Sequence, residues 1–152
     1  MTATLERPQA DVNAPATVED FEVAKVSYDH PQVRRFIARF FEKMGIPMQT
    51  HPLGILWFAL VKNETIHCVV GTAGRPDGSI EITDFYALPS HDGVRAGYLV
   101  LEFFRALVDA GRIPYFLGVM LTKNKSGQRH FEKFFGRGPA SSIFIYNGEG
   151  RS

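Results

Sequence analysis

Residues 79–110 read SIEITDFYALPSHDGVRAGYLVLEFFRALVDA, and the stretch changes character in its middle. Ser79 to Leu88 is rich in β-branched and aromatic residues and reads as a strand. Pro89 has no N–H to give a neighbouring strand, so it stops there. From Gly97 to Ala110, the residues Val100, Leu101, Phe103, Phe104, Leu107 and Val108 recur at helical spacing and form a wide apolar face. Gly111 ends that helix. Between strand and helix lies the link Asp92-Gly93-Val94-Arg95-Ala96-Gly97. A strand that stops at a proline and gives way to a helix with one broad apolar face belongs to a layered α/β domain.

Upstream of this stretch, Ile55 to Val61 is an apolar run, Lys62-Asn63-Glu64 a tight turn, and Thr65 to Val70 a second strand closed by Gly71. Gly74-Arg75-Pro76-Asp77-Gly78 is the next turn. Further back, Phe21 to Tyr28 alternates well enough for a short strand. Asp29-His30-Pro31 looks like a helix start, with the proline at the first helical position. Val33, Phe36, Ile37, Phe40, Phe41 and Met44 then keep helical spacing until Gly45 and Pro47 end it. Downstream, Tyr115 to Leu121 is a buried-type strand, Ser126 to Phe135 a short helix with Phe131, Phe134 and Phe135 on one side, and Ser142 to Tyr146 a last strand. The predicted order is β-α-β-β-β-α-β-α-β. Residues 1–19 are rich in Ala, Pro, Thr and acidic side chains and read as an extended or disordered tail before a single domain over 20–152.

The composition fits one globular domain: 152 residues, 45% hydrophobic and 22% charged, with 13 phenylalanines to fill a core. The net charge of +1 carries no nucleic-acid signal. The single cysteine, Cys68, rules out a disulfide within the chain, and its alternation with Ile66 and Val70 makes it a core residue. No apolar run reaches the ~18 residues of a membrane span. The expectation is a soluble, cytoplasmic protein. The five histidines show no ligand spacing, so no metal is expected.

Three patterns, taken in order, resemble the GNAT superfamily of acyl-CoA N-acyltransferases over about Phe21 to Tyr146. WFALVKNETIHCVVGTA is similar to the family's second and third strands, EITDFYALPSHDGVRAGYLVLEFFRAL to its fourth strand with the coenzyme loop and helix, and NKSGQRHFEKFFG to its C-terminal Asn-then-aromatic helix. The resemblance implies a central mixed, mostly antiparallel sheet flanked by helices. It also implies acetyl transfer from acetyl-CoA to a primary amine on a small molecule or a protein.

The site residues follow from the same resemblance. Family members hold the coenzyme diphosphate on bare N–H groups at a helix start, in a Gly-rich loop. Here Gly93 and Gly97 match, while Arg95 replaces the middle glycine and Asp92 the basic residue. Gly93, Val94, Arg95, Ala96 and Gly97 are therefore the expected coenzyme contacts. The alternative is a plain helix start capped by Asp92. Backbone N–H groups near Ala87 and Leu88 are expected to hold the oxyanion. Glu81 is the expected general base on the fourth strand, with Asp84 the other candidate. Asn124 is either a pantetheine contact or a helix cap. Phe131 stands where many members carry an acidic tyrosine, and a phenyl ring gives no proton.

These departures support a second class: a catalytically silent GNAT-like structural or binding protein. Divergent members among the internal virion proteins of short-tailed phages are similar in their last helix, and such a protein would reside in a virion. In that class the tail, through its main chain and Leu5 and Val12, would lie extended on partner chains of a larger assembly.

Overall fold

The computed structural model describes residues 17–18, 20–47, 51, 54–119, 124–136 and 143–148. Seven strands form one sheet whose spatial order follows the chain: β1 (Thr17–Val18), β2 (Phe21–Val26), β3 (Leu56–Lys62), β4 (Thr65–Gly74), β5 (Ile80–Ala87), β6 (Phe116–Val119) and β7 (Ile143–Tyr146). All neighbours are antiparallel except β5 and β6, which are parallel. The helices are α1 (Pro31–Met44), α2 (His91–Asp109) and α3 (Lys125–Phe135). This is the mixed, mostly antiparallel sheet with flanking helices that the order of elements predicts. The added strand β1 pairs Thr17 with Glu22 and Val18 with Phe21, inside the segment read as a tail. Main-chain bonds to the edge of β2 need no apolar side chains, so composition does not announce it. Residues 1–16, with Leu5 and Val12, lie outside the described residues, and so does the expectation about their partners.

The sheet separates two cores. On one face α1 packs Val33, Phe36, Ile37, Phe40 and Phe41 against Ala24, Trp57, Ala59, Val69 and Tyr86. On the other, α2 and α3 cover Leu60, Cys68, Val70, Ile82, Phe85 and Phe116. Both ends of α1 fall where Pro31 and Gly45 put them, and Gly45 has the left-handed φ of 70° that favours glycine there. The His30 side chain caps the other end through Gln32 N, at 3.1 Å.

Gly71 does not close the hairpin: β4 runs on to Gly74. Gly71 faces Asp84, whereas Thr72 faces Ile82. Thr83 is therefore an extra residue in β5, a β-bulge that changes which side chains face which core. Ile82, Phe85 and Ala87 face α2 and α3, while Tyr86 faces α1. A Cβ at Gly71 would lie 2.9 Å from Ile55, 3.0 Å from the Asp84 carboxylate and 3.0 Å from the Trp57 ring. The missing side chain thus makes room for the residues described next.

Candidate functional site

β5 and β6 pair only through Ile80–Phe116, Glu81–Leu117 and Ile82–Gly118. Among the described residues, Thr83 to Ala87 has no partner on the β6 side. The start of α3 meets this stretch. Asn124 caps that helix, its Oδ1 accepting from Gly127 N at 2.9 Å, and its Nδ2 donates to the Phe85 carbonyl at 2.8 Å. Ser126 Oγ donates to the Ala87 carbonyl at 2.7 Å. Phe131 is fully buried against Phe85 and Phe144. A Cβ at Gly118 would run into its ring, so glycine and phenylalanine are complementary here.

The start of α2 differs from its sequence expectation. The helix begins at His91, so Gly93, Val94, Arg95, Ala96 and Gly97 are helical rather than a loop ahead of the helix. Its cap is Ser90, not Asp92: Ser90 Oγ accepts from Gly93 N at 3.1 Å, and the Ser90 carbonyl from Val94 N at 2.8 Å. Serine caps by the same oxygen-to-N3 bond that was expected of aspartate. Asp92 lies in the first turn, where its charge suits the helix dipole, and Lys62 Nζ stands 3.3 Å from its carboxylate. The two glycines that match the coenzyme pattern are packed from within the chain. A Cβ at Gly93 would strike the Leu88 carbonyl, and one at Gly97 the His130 ring. Ala96 is in the core, and Val94 and Arg95 are exposed.

His130 joins α3 to α2. Its Nδ1 lies 2.8 Å from the Ser126 carbonyl and its Nε2 3.0 Å from the Val94 carbonyl. Burial lowers its pKa and outweighs the two carbonyls, which favour the protonated ring. Lys125, Arg129 and Lys133 form an exposed basic edge on α3. Lys123 and Arg137, which flank this helix in the sequence, lie outside the described residues.

On the α1 face, β5 beyond Ile82 carries a polar network. Tyr86 Oη donates to Asp84 Oδ1 at 2.7 Å, and Thr83 Oγ1 to Asp84 Oδ2 at 2.8 Å. His51 Nε2 is 2.8 Å from Tyr86 Oη and 3.4 Å from Asp84 Oδ1, and His51 Nδ1 is 3.1 Å from Tyr28 Oη. The tautomer follows from these partners. Tyr86 gives its proton to Asp84, so it accepts from His51 Nε2–H. A neutral His51 then keeps its lone pair on Nδ1, facing Tyr28. Burial, and then the Asp84 charge, raise the Tyr86 pKa well above the usual phenol range, which keeps that proton in place. The His51 and Asp84 side chains are only 3% and 11% exposed. Trp57 packs edge-on to His51, with ring centroids 5.2 Å apart.

Glu81 is not brought into this group. It lies in the paired part of β5, before the bulge, and Arg75 binds its carboxylate at 3.4 Å on the sheet rim. Asp84 joins Tyr86, His51 and Tyr28, three residues that carry no local sequence signal.

Beyond Ile82 an acyl-CoA arm would find the Phe85 and Ala87 carbonyls already bonded to Asn124 and Ser126, so its fit there rests on the N–H groups of β5. The first turn of α2 fits the diphosphate less well, since Asp92 already supplies a negative charge.

No family model matches the chain, and no curated protein sequence matches it. Its fold does have solved counterparts. A GNAT-family acetyltransferase from Staphylococcus aureus Mu50 superposes with a TM-score of 0.64 at 10% identity, over 85% of this chain and 99% of that one. The ribosomal-protein-S18-alanine N-acetyltransferase of Escherichia coli gives 0.51 at 14% identity, over 75% and 76%. A GNAT-family acetyltransferase from Elizabethkingia anophelis, solved with acetyl-CoA bound, gives 0.50 at 7% identity, over 77% and 76%. The fold is that of the GNAT acetyltransferases. Among the described residues no helix is long and apolar enough to cross a membrane.

Proposed function

We propose that this chain is a GNAT-type N-acyltransferase that moves an acyl group, acetyl first among the candidates, from acyl-CoA to a primary amine. One observation carries the reading: the largely buried His51–Tyr86–Asp84–Tyr28 network is built on β5 just past Ile82, its last described pair with β6. An amine must lose a proton to become a nucleophile and stay neutral after acylation. His51 Nδ1 is the acceptor for that proton, directly or through Tyr28 Oη. Asp84, 3.4 Å from His51 Nε2, stabilises the imidazolium that results. Asp84 is thus the carboxylate of the pair and His51 its base, while Glu81 stays outside.

When bound, the coenzyme supplies an activated thioester. Its arm would lie along β5 beyond Ile82, with N–H groups near Ala87 and Leu88 toward the carbonyl oxygen. Its diphosphate would meet the start of α2 around Gly93 to Gly97, with Arg95 on the outer side offsetting Asp92. Asn124 would hold the neighbouring strand edge through Phe85. Phe131 gives the leaving thiolate no proton, so water is left to do so.

Calorimetric titration with acetyl-CoA, paired with a thiol-release assay on a panel of primary amines, tests this reading. Binding together with amine-dependent thiol release is the expected result. Absence of both would leave a GNAT-fold protein without the chemistry, the role of a silent domain such as a virion component.

A further inference from the structure

A cavity of about 250 Å³ opens beside His51, bounded by Tyr28, Asp29, Ile55 and Trp57. We infer that this cavity is the acceptor site and that it selects a small primary amine, bound as its ammonium ion, over the N-terminus of a protein. The inference rests on the acyl-transfer reading only for the fate of the amine; the binding itself stands apart.

Four observations carry it. The size lies just below the ~300 Å³ at which sites for drug-sized ligands begin, which suits a short amine and little more. The walls are aromatic: the Tyr28 and Trp57 rings lie 5.3 Å apart, tilted by 36°, and give an alkyl body apolar cover. The wall carries one carboxylate, Asp29, and among its described residues no lysine or arginine. Arg34 stands over the Tyr28 ring at 5.7 Å and 3.9 Å from Asp29, and with the two side chains 61% and 87% exposed water screens both charges. The inner end leads to chemistry: His51 lines the cavity and is backed by the largely buried Asp84. An ammonium held against the rings therefore has its N–H groups toward Tyr28 Oη and His51 Nδ1. Those atoms take its proton in the proposed reaction.

Trp57 is the sole tryptophan of the chain, so its fluorescence reports occupancy of this wall. The full chain, without any acyl-CoA, is titrated with n-butylamine and 2-phenylethylamine. The controls are butan-1-ol, butyrate and an unblocked alanine tripeptide at matched ionic strength. The expected result is a saturable change with both amines and none with the alcohol, the carboxylate or the peptide. His51→Gln should weaken amine binding about tenfold, with Tyr28→Phe as a milder variant that keeps the ring. An equal response to butan-1-ol, a response to the peptide alone, or no response to either amine overturns the inference. The two readings fail separately. Acetylation of an amine that leaves Trp57 unmoved removes the cavity and keeps the transfer. Saturable amine binding without transfer keeps the cavity and removes the transfer.

Discussion

At the scale of single residues, two carboxylates on one strand separate the possible mechanisms. Glu81 and Asp84 both face α1, but the structure gives them different company. Asp84 is largely buried among hydroxyls and His51, whereas Glu81 sits on the rim with Arg75. Removal of a general base or its carboxylate partner slows transfer by about 10²–10⁴-fold. Asp84→Asn and His51→Gln should each cut kcat by that order at neutral pH, while Glu81→Gln should leave it within about twofold. Initial rates of acetyl transfer, with circular dichroism to confirm folding, decide the matter. Loss of turnover in Glu81→Gln with retention in Asp84→Asn would reverse the assignment. The resemblance puts Glu81 first and Asp84 second, and burial favours the reverse order. The sequence is silent on His51 for a physical reason: Tyr28 and Tyr86 lie 23 and 35 positions away, and only the folded sheet brings them to the imidazole.

At the scale of elements, the start of α2 decides how well an anion is received. The dipole and the N–H groups of a first turn attract phosphate, and Asp92 opposes it. A unit charge about 6 Å from a phosphate in water is worth ~0.7 kcal/mol, or about threefold in affinity. Asp92→Asn should therefore tighten acetyl-CoA binding about threefold. It should also cost about 0.5 kcal/mol of stability through the lost helix-terminus charge. Calorimetry and thermal unfolding of the same variant read both numbers. Unchanged or weaker coenzyme binding would detach the diphosphate from this turn. The sequence marks α2 well at its apolar face and poorly at its start. Val100 to Val108 announce the helix, but Ser90 caps it seven residues before Gly97. Asp92 and the glycines fit a loop as readily as a first turn. What makes them helical is packing: Gly93 lies on the Leu88 carbonyl and Gly97 on the His130 ring.

At the scale of the whole molecule, His130 makes folding depend on pH. Burial lowers its pKa, and the half-buried His67 is lowered by the same cause. Such groups bind fewer protons folded than unfolded. Stability therefore rises with pH across the window below the unfolded value of about 6.5, and it is lost as pH falls through that window. Unfolding temperature should stay level from about pH 8 to 7 and drop below about 6.5, with the drop reduced in His130→Gln. Calorimetric scans across that range check it; a level profile, or an unaltered drop in the variant, would remove His130 from the account. Fold class was legible because apolar periodicity and the stops at Gly45, Pro89 and Gly111 are local signals. Strand β1 was not, because it depends on backbone bonds to β2 rather than on its own side chains.

The bulge at Thr83 gives β5 something like a reading frame. Alternation along a strand is counted in twos, and one surplus residue resets the count. Were Thr83 kept but the bulge straightened, the two faces would exchange from that point on, sending Asp84 and Tyr86 toward the phenylalanine core of α2 and α3, and Phe85 toward His51. A carboxylate in that core would have to take up a proton or lose several kcal/mol. The chemistry on the α1 face thus rests on a backbone irregularity as well as on side-chain identities. The bulge absorbs Thr83, and that absorption keeps the acid on the α1 face.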